Sequence, residues 1–275
     1  MAPQEFQAIP SLPADATSRY GADPNQYGEL RLPGGPGPFP VVVLVHGGCF
    51  KATYATLRDM APIGDALKRQ GIASWNIEYR RLGQPGSGWP GTYKDVGAAV
   101  DHLRALASRY RLDLDRVVFV GHSAGGHLAL WAAARAKVPA ARAIAGRHPL
   151  RPLGAIDLAG PLDMRENIAN YHRECRDPVI TQMMSGTPEQ VPERYQAASP
   201  GALLPLTVPH VLIWGEHEPF MPRPLAWTYV KRAQAVGDKV ALRVVPGAGH
   251  FEIASPHTSA WPFLLADIRR LLRGS

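Results

Sequence analysis

The chain has 275 residues, 45% of them hydrophobic and 19% charged, which is enough to bury one full core and gives no sign of a second domain. Its 30 Lys and Arg against 23 Asp and Glu leave a net charge of +7, but the basic residues are scattered and none of their clusters is interleaved with aromatics, so a single-stranded nucleic-acid platform is excluded. No apolar span reaches membrane length, the amino terminus lacks the basic start and apolar core of a leader, and two cysteines make no disulfide framework; a cytoplasmic protein with Cys49 and Cys175 reduced is therefore expected.

Residues 1–26 are polar and rich in Pro and Ala and read as an arm, followed by an extended stretch from Tyr27 to Leu32 and a turn cluster from Pro33 to Pro40. The β-branched run Val41 to Val45 predicts a strand buried on both faces, and it ends in His46-Gly47-Gly48-Cys49-Phe50. Glycines at a strand end suit a loop whose backbone N–H groups converge on a charged oxygen, as acyl transfer requires. Gly48 and Cys49 are the expected donors, with His46 as a brace. Periodicity then predicts a helix from Leu57 to Gln70, a strand from Ile72 to Tyr79 and a helix from Tyr93 to Tyr110, with Val96, Val100, Leu103 and Leu106 on its apolar face.

The next strand, Arg116 to Val120, runs into Gly121-His122-Ser123-Ala124-Gly125 and a small-residue helix from Gly126 to Ala136. A serine on a sharp strand-to-helix turn presents its hydroxyl above the sheet, so Ser123 is the candidate nucleophile and the N–H of Ala124 a third oxyanion donor. Composition alone would supply a G-x-S-x-G pattern in roughly one such chain in ten, so the flanking elements carry the reading. His127, four residues on, shares the helix face and reads as a buried brace. A further strand is expected over Leu153–Leu158. Residues 161–207 break the alternation and are expected to form a helical cap, with Tyr171 and the methionines Met164, Met183 and Met184 along an adaptable pocket.

Val211 to Trp214 predicts another buried strand, followed by Gly215-Glu216-His217-Glu218-Pro219, where an acid is needed to orient an imidazole. A last strand, Ala241 to Val245, turns His250 out at its end as the candidate general base. Strands alternating with helices argue for a mostly parallel sheet covered on both faces.

With the order Ser, acid, His and the His46-Gly47-Gly48 loop, residues 27–273 resemble the α/β-hydrolase superfamily, and within it the esterase and lipase-like group that overlaps with kynurenine formamidases and prolyl-oligopeptidase-like hydrolases. The resemblance implies Ser123 as nucleophile, His250 as base and Gly48, Cys49 and Ala124 as oxyanion donors. It places the acid at Glu218, where such families usually carry Asp, in preference to Glu216. The implied activity is hydrolysis of small to medium acyl esters with no cofactor and no metal; arylformamidase activity and non-catalytic ligand binding are the alternatives. Phe50, Trp89 and Phe220 are the expected walls of a small-molecule pocket.

Overall fold

The computed structural model describes residues 1–137 and 142–274. Among these, eight strands form one sheet in the order β1-β2-β4-β3-β5-β6-β7-β8. They are β1 (Ala16–Arg19), β2 (Tyr27–Arg31), β3 (Phe39–Val45), β4 (Ala73–Ile77), β5 (Leu112–His122), β6 (Gly154–Leu158), β7 (His210–Gly215) and β8 (Val240–Val245). β1 and β2 enter antiparallel, and every pairing from β4 to β8 is parallel. β6 and β7 are buried at every position, as continuous apolar runs in a doubly covered parallel sheet should be.

The helices are α1 (Pro3–Gln7), α2 (Ala61–Arg69), α3 (Gly91–Asp101), α4 (Leu103–Tyr110), α5 (Ala124–Ala134), α6 (Arg142–Ala145), α7 (Ile168–Cys175), α8 (Val179–Met184), α9 (Pro192–Ala198), α10 (Arg223–Ala235) and α11 (Trp261–Leu272). The helix expected from Tyr93 to Tyr110 is interrupted at His102, where Ala105 N bonds back to His102 O at 2.9 Å and tightens the turn. On β6, a Cβ at Gly154 would strike Leu271 of α11 at 2.6 Å, while the Asp157 side chain lies against Gly126 of α5. Positions three apart on a strand face opposite sides, so α5 and α11 cover opposite faces.

The parallel register brings the strand ends together. Val45 pairs with Gly121, Gly121 with Asp157, Leu158 with Ile213, and Gly215 with Val245. Consequently the loops after β3, β5, β6, β7 and β8 share one edge of the sheet, where open α/β sheets bind ligands. The amino-terminal arm does not stay extended: α1 folds back, and Phe6 is buried against the rings of His122 (5.6 Å) and Phe251 (5.4 Å). No helix among the described residues is long and apolar enough to cross a membrane.

Candidate active site

The loop after β3 is fixed from beneath. His46 is fully buried, its Nε2 donates to Glu78 Oε1 at 2.9 Å, and its ring stacks on Tyr79 at 4.4 Å. Burial alone would raise the Glu78 carboxyl, but His46, Arg81 and the Tyr79 N–H together draw it below the usual carboxylate range. Above this brace Gly48, Cys49 and Phe50 take φ values of 94°, 53° and 56°, a succession of left-handed residues that turns the backbone sharply. Gly48 can only be glycine, since a Cβ there would meet the Cβ of Ala55 at 2.4 Å.

Ser123 has φ 53° and ψ −123°, a conformation that costs on the order of 1–3 kcal/mol for a residue other than glycine and is kept only where its surroundings over-determine it. Here they do. Ser123 N donates to Leu158 O at 2.8 Å, Gly126 N returns to Ser123 O at 2.8 Å, and α5 starts directly afterwards. The glycines of the motif are steric requirements: a Cβ at Gly121 would lie 2.0 Å from Gly125 O, and one at Gly125 would lie 2.1 Å from Val45 O.

At the end of β7, Glu218 Oε1 accepts N–H bonds from Phe220 (2.8 Å) and Met221 (3.0 Å). The two carboxylate oxygens lie 3.0 and 2.9 Å from His250 Nδ1, so Nδ1 carries the proton and donates, leaving Nε2 as an acceptor. Both side chains are almost wholly buried. Glu216 instead lies in the exposed part of the loop, where its Oε2 accepts from Gly247 N at 2.9 Å. His122 ties the base to the nucleophile strand, its Nε2 donating to His250 O at 3.0 Å, and burial followed by the nearby His250 pushes its pKa well down. His127 is fully buried, with Nδ1 donating to Pro161 O at 2.8 Å and Nε2 at 2.9 Å from the Tyr93 hydroxyl; burial lowers its pKa to about 4.

Ser123, His250, Gly48 and Cys49 border one cavity of about 460 Å³, completed by Phe6, Tyr171, Phe220, Met221 and Phe251 among others. Of the aromatics expected as walls, Phe220 lines it. Phe50 and Trp89 do not. The Phe50 ring is fully buried behind the loop, against His127 and Tyr171, and Trp89 packs on Tyr93 with its backbone N–H donating to Met183 O at 2.6 Å. Met164, Met183 and Met184 are likewise core residues; Met221, which the sequence did not single out, takes the wall position. Phe6 and Phe251 were not expected as walls: Phe251 simply follows His250 in the turn after β8, and only the return of α1 brings Phe6 to the site.

The expectation of reduced cysteines is corrected. Cys49 and Cys175 form a disulfide, with Cα atoms 6.0 Å apart and 126 residues between them in sequence. The fold sets the last residue of α7 beside the loop after β3, a proximity that no local spacing reveals. The argument from free thiols to a reducing compartment falls with it. Among the described residues no group of three or more His, Cys, Asp or Glu is arranged to hold a metal ion.

The BD-FAE family model matches residues 31–226. Esterase LipC of Mycobacterium tuberculosis is 28% identical over 236 residues, covering 84% of this chain, which spans only 58% of the length of LipC. Among solved structures, a truncated carbohydrate esterase from gut microbiota superposes with a TM-score of 0.79 at 21% identity, over 95% of this chain and 99% of that one. Esterase B from Lactobacillus rhamnosis, in a structure with a C4-C4 SN3 tributyrin phosphonate, gives 0.79 at 18% identity, over 98% and 91%.

Proposed function

The chain belongs to the BD-FAE family, with the α/β-hydrolase fold, and from that footing we propose that it is a serine carboxylesterase acting on small to medium acyl esters. The observation that carries the proposal is the buried Glu218–His250 pair, opening on the same cavity as a serine held in a strained turn. The esterases named above, one of them with a phosphonate inhibitor, support the same reaction class.

In this reading His250 Nε2 accepts the Ser123 proton as Oγ attacks the ester carbonyl, while Glu218 holds the imidazole in the required tautomer and stabilises the imidazolium. The N–H groups of Gly48, Cys49 and Ala124 receive the developing oxyanion. The C–O bond breaks, the alcohol leaves with the proton from His250, and water repeats the sequence on the acyl-enzyme to release the acid. Residues 161–207 act as the cap, since α7 brings Asn170, Tyr171 and Cys175 to the cavity. The Cys49–Cys175 bridge suits an oxidising compartment rather than the cytoplasm.

Hydrolysis of p-nitrophenyl esters from acetate to decanoate, with N-formylkynurenine alongside, tests the proposal. Wild-type protein is expected to turn over the short esters, and Ser123→Ala to lower kcat on the order of 10⁶-fold. Turnover of the formamide alone, or ester turnover that survives in Ser123→Ala, would overturn it.

A further inference from the structure

Tyr171 is 2% exposed, yet its hydroxyl is a buried polar group without a hydrogen-bond partner in the protein. Buried hydroxyls are almost always paired, and an orphan in a native structure calls for a reason. The hydroxyl interacts with Ser123, and the residue lines the cavity. Its position relative to the rest of the site is definite. The ring packs on Phe50, 6.0 Å away, directly after the loop that carries Gly48 and Cys49, and Cys175, four residues on and hence on the same face of α7, is bonded to Cys49 itself. The rings around His250 are instead those of His122, Phe220 and Phe251. These contacts set Tyr171 beside the loop that carries Gly48 and Cys49, and none of the ring contacts of His250 given above involves it.

Resting on the esterase reading, we propose that Tyr171 is a further catalytic residue, a side-chain donor that completes the oxyanion hole from the cap. As Ser123 Oγ adds to the carbonyl and the π electrons move onto its oxygen, the Tyr171 O–H donates to that oxygen beside the backbone N–H groups; the hydroxyl keeps its proton throughout. Burial raises the phenol far above its ordinary range, so it remains a donor at any working pH. The orphan hydroxyl is then a binding group waiting for charge that exists only in the transition state, the condition under which binding accelerates reaction.

Tyr171→Phe removes one oxygen whose side-chain interaction in the protein is with Ser123 and which has no geometric hydrogen-bond partner that would hold the fold, so its thermal midpoint should equal or exceed that of wild type, whereas a structural hydroxyl would lower it. On p-nitrophenyl acetate kcat should fall about 10²-fold, the effect of deleting one oxyanion donor, with little change in KM. 1-Butylboronic acid, which forms a tetrahedral adduct on the serine, should bind correspondingly more weakly. Unchanged kcat and boronate affinity, or a loss confined to KM, would overturn the assignment. If wild type hydrolyses no ester, the esterase reading fails on its own account, and the boronate comparison still decides whether Tyr171 faces the oxyanion.

Discussion

Two carbonyl oxygens of the β3 end dictate the glycine two residues after Ser123. A methyl group at position 125 would sit 2.1 Å from Val45 O and 2.3 Å from His46 O, against the backbone at the end of β3, which cannot yield without parting β3 from α5. Gly125→Ala should therefore cost more than about 4 kcal/mol and leave little folded protein, while Gly34→Ala, whose Cβ meets nothing within 4 Å, should stay within about 0.5 kcal/mol; urea midpoints of both variants decide the matter. The acid is separable in the same way. Glu218→Gln keeps the carbonyl for Phe220 N but presents the wrong group to His250, so kcat should fall on the order of 10⁴-fold, whereas Glu216→Gln, at an exposed oxygen, should leave it near the wild-type value. Comparable losses in both variants would contradict the choice of Glu218. Ser123, Glu218 and His250 were legible because each follows a strongly apolar strand within a few residues. Tyr171 was expected along the pocket and lines it, whereas Phe6 was not legible, because it reaches the cavity through the docking of α1, which depends on contacts distant in sequence.

At the scale of elements, the parallel core was the readable part. Strands β3, β5, β6 and β7 lie within a few residues of the apolar runs that predicted them, since burial on both faces demands such runs whatever surrounds them, and β8, half-exposed at the sheet edge, was found from its shorter run. The cap was legible only as a break in alternation. Its short helices α7, α8 and α9 carry no long periodic signal, and the disulfide that fastens α7 was invisible. That bridge closes a span of 126 residues, for which chain entropy gives about 5 kcal/mol of stabilisation, with 2–5 kcal/mol the usual cost of removing a native bridge. Reduction should lower the urea midpoint of the wild type by an amount in that range. Cys175→Ala should show the lowered midpoint already and be indifferent to reductant. A wild-type midpoint that does not move under reduction would mean that the bridge contributes nothing to stability.

Across the whole molecule, stability near neutral pH depends on imidazoles that are buried uncharged. The folded protein holds the pKa of His127 at about 4 against 6.5 for the free group, so between those values the unfolded chain binds a proton that the folded one refuses. Stability from this residue is complete above pH 6.5 and is lost as the pH falls towards 4, to an extent of about 3 kcal/mol. His122 and His210, both pushed down chiefly by burial, act in the same sense. Asp157 opposes them: its buried carboxyl stays protonated well above 3.8, so its contribution is greatest in acid and declines as the pH rises. His102 is lowered in the same way and the Glu78 carboxyl is drawn down, while Asp59 joins Asp157 among the raised carboxyls; the lowered imidazoles outnumber these, so the net slope is acid-labile, and the charge of +7 grows more positive on acidification, adding self-repulsion. The urea midpoint should accordingly fall from pH 7 to pH 5. The loss bears on the site, because His127 joins α5, one turn beyond Ser123, to Pro161 at the start of the cap, and a protonated ring could no longer accept from Tyr93. In His127→Gln the drop in midpoint between pH 7 and pH 5 should shrink; an undiminished drop would assign the acid sensitivity to other groups.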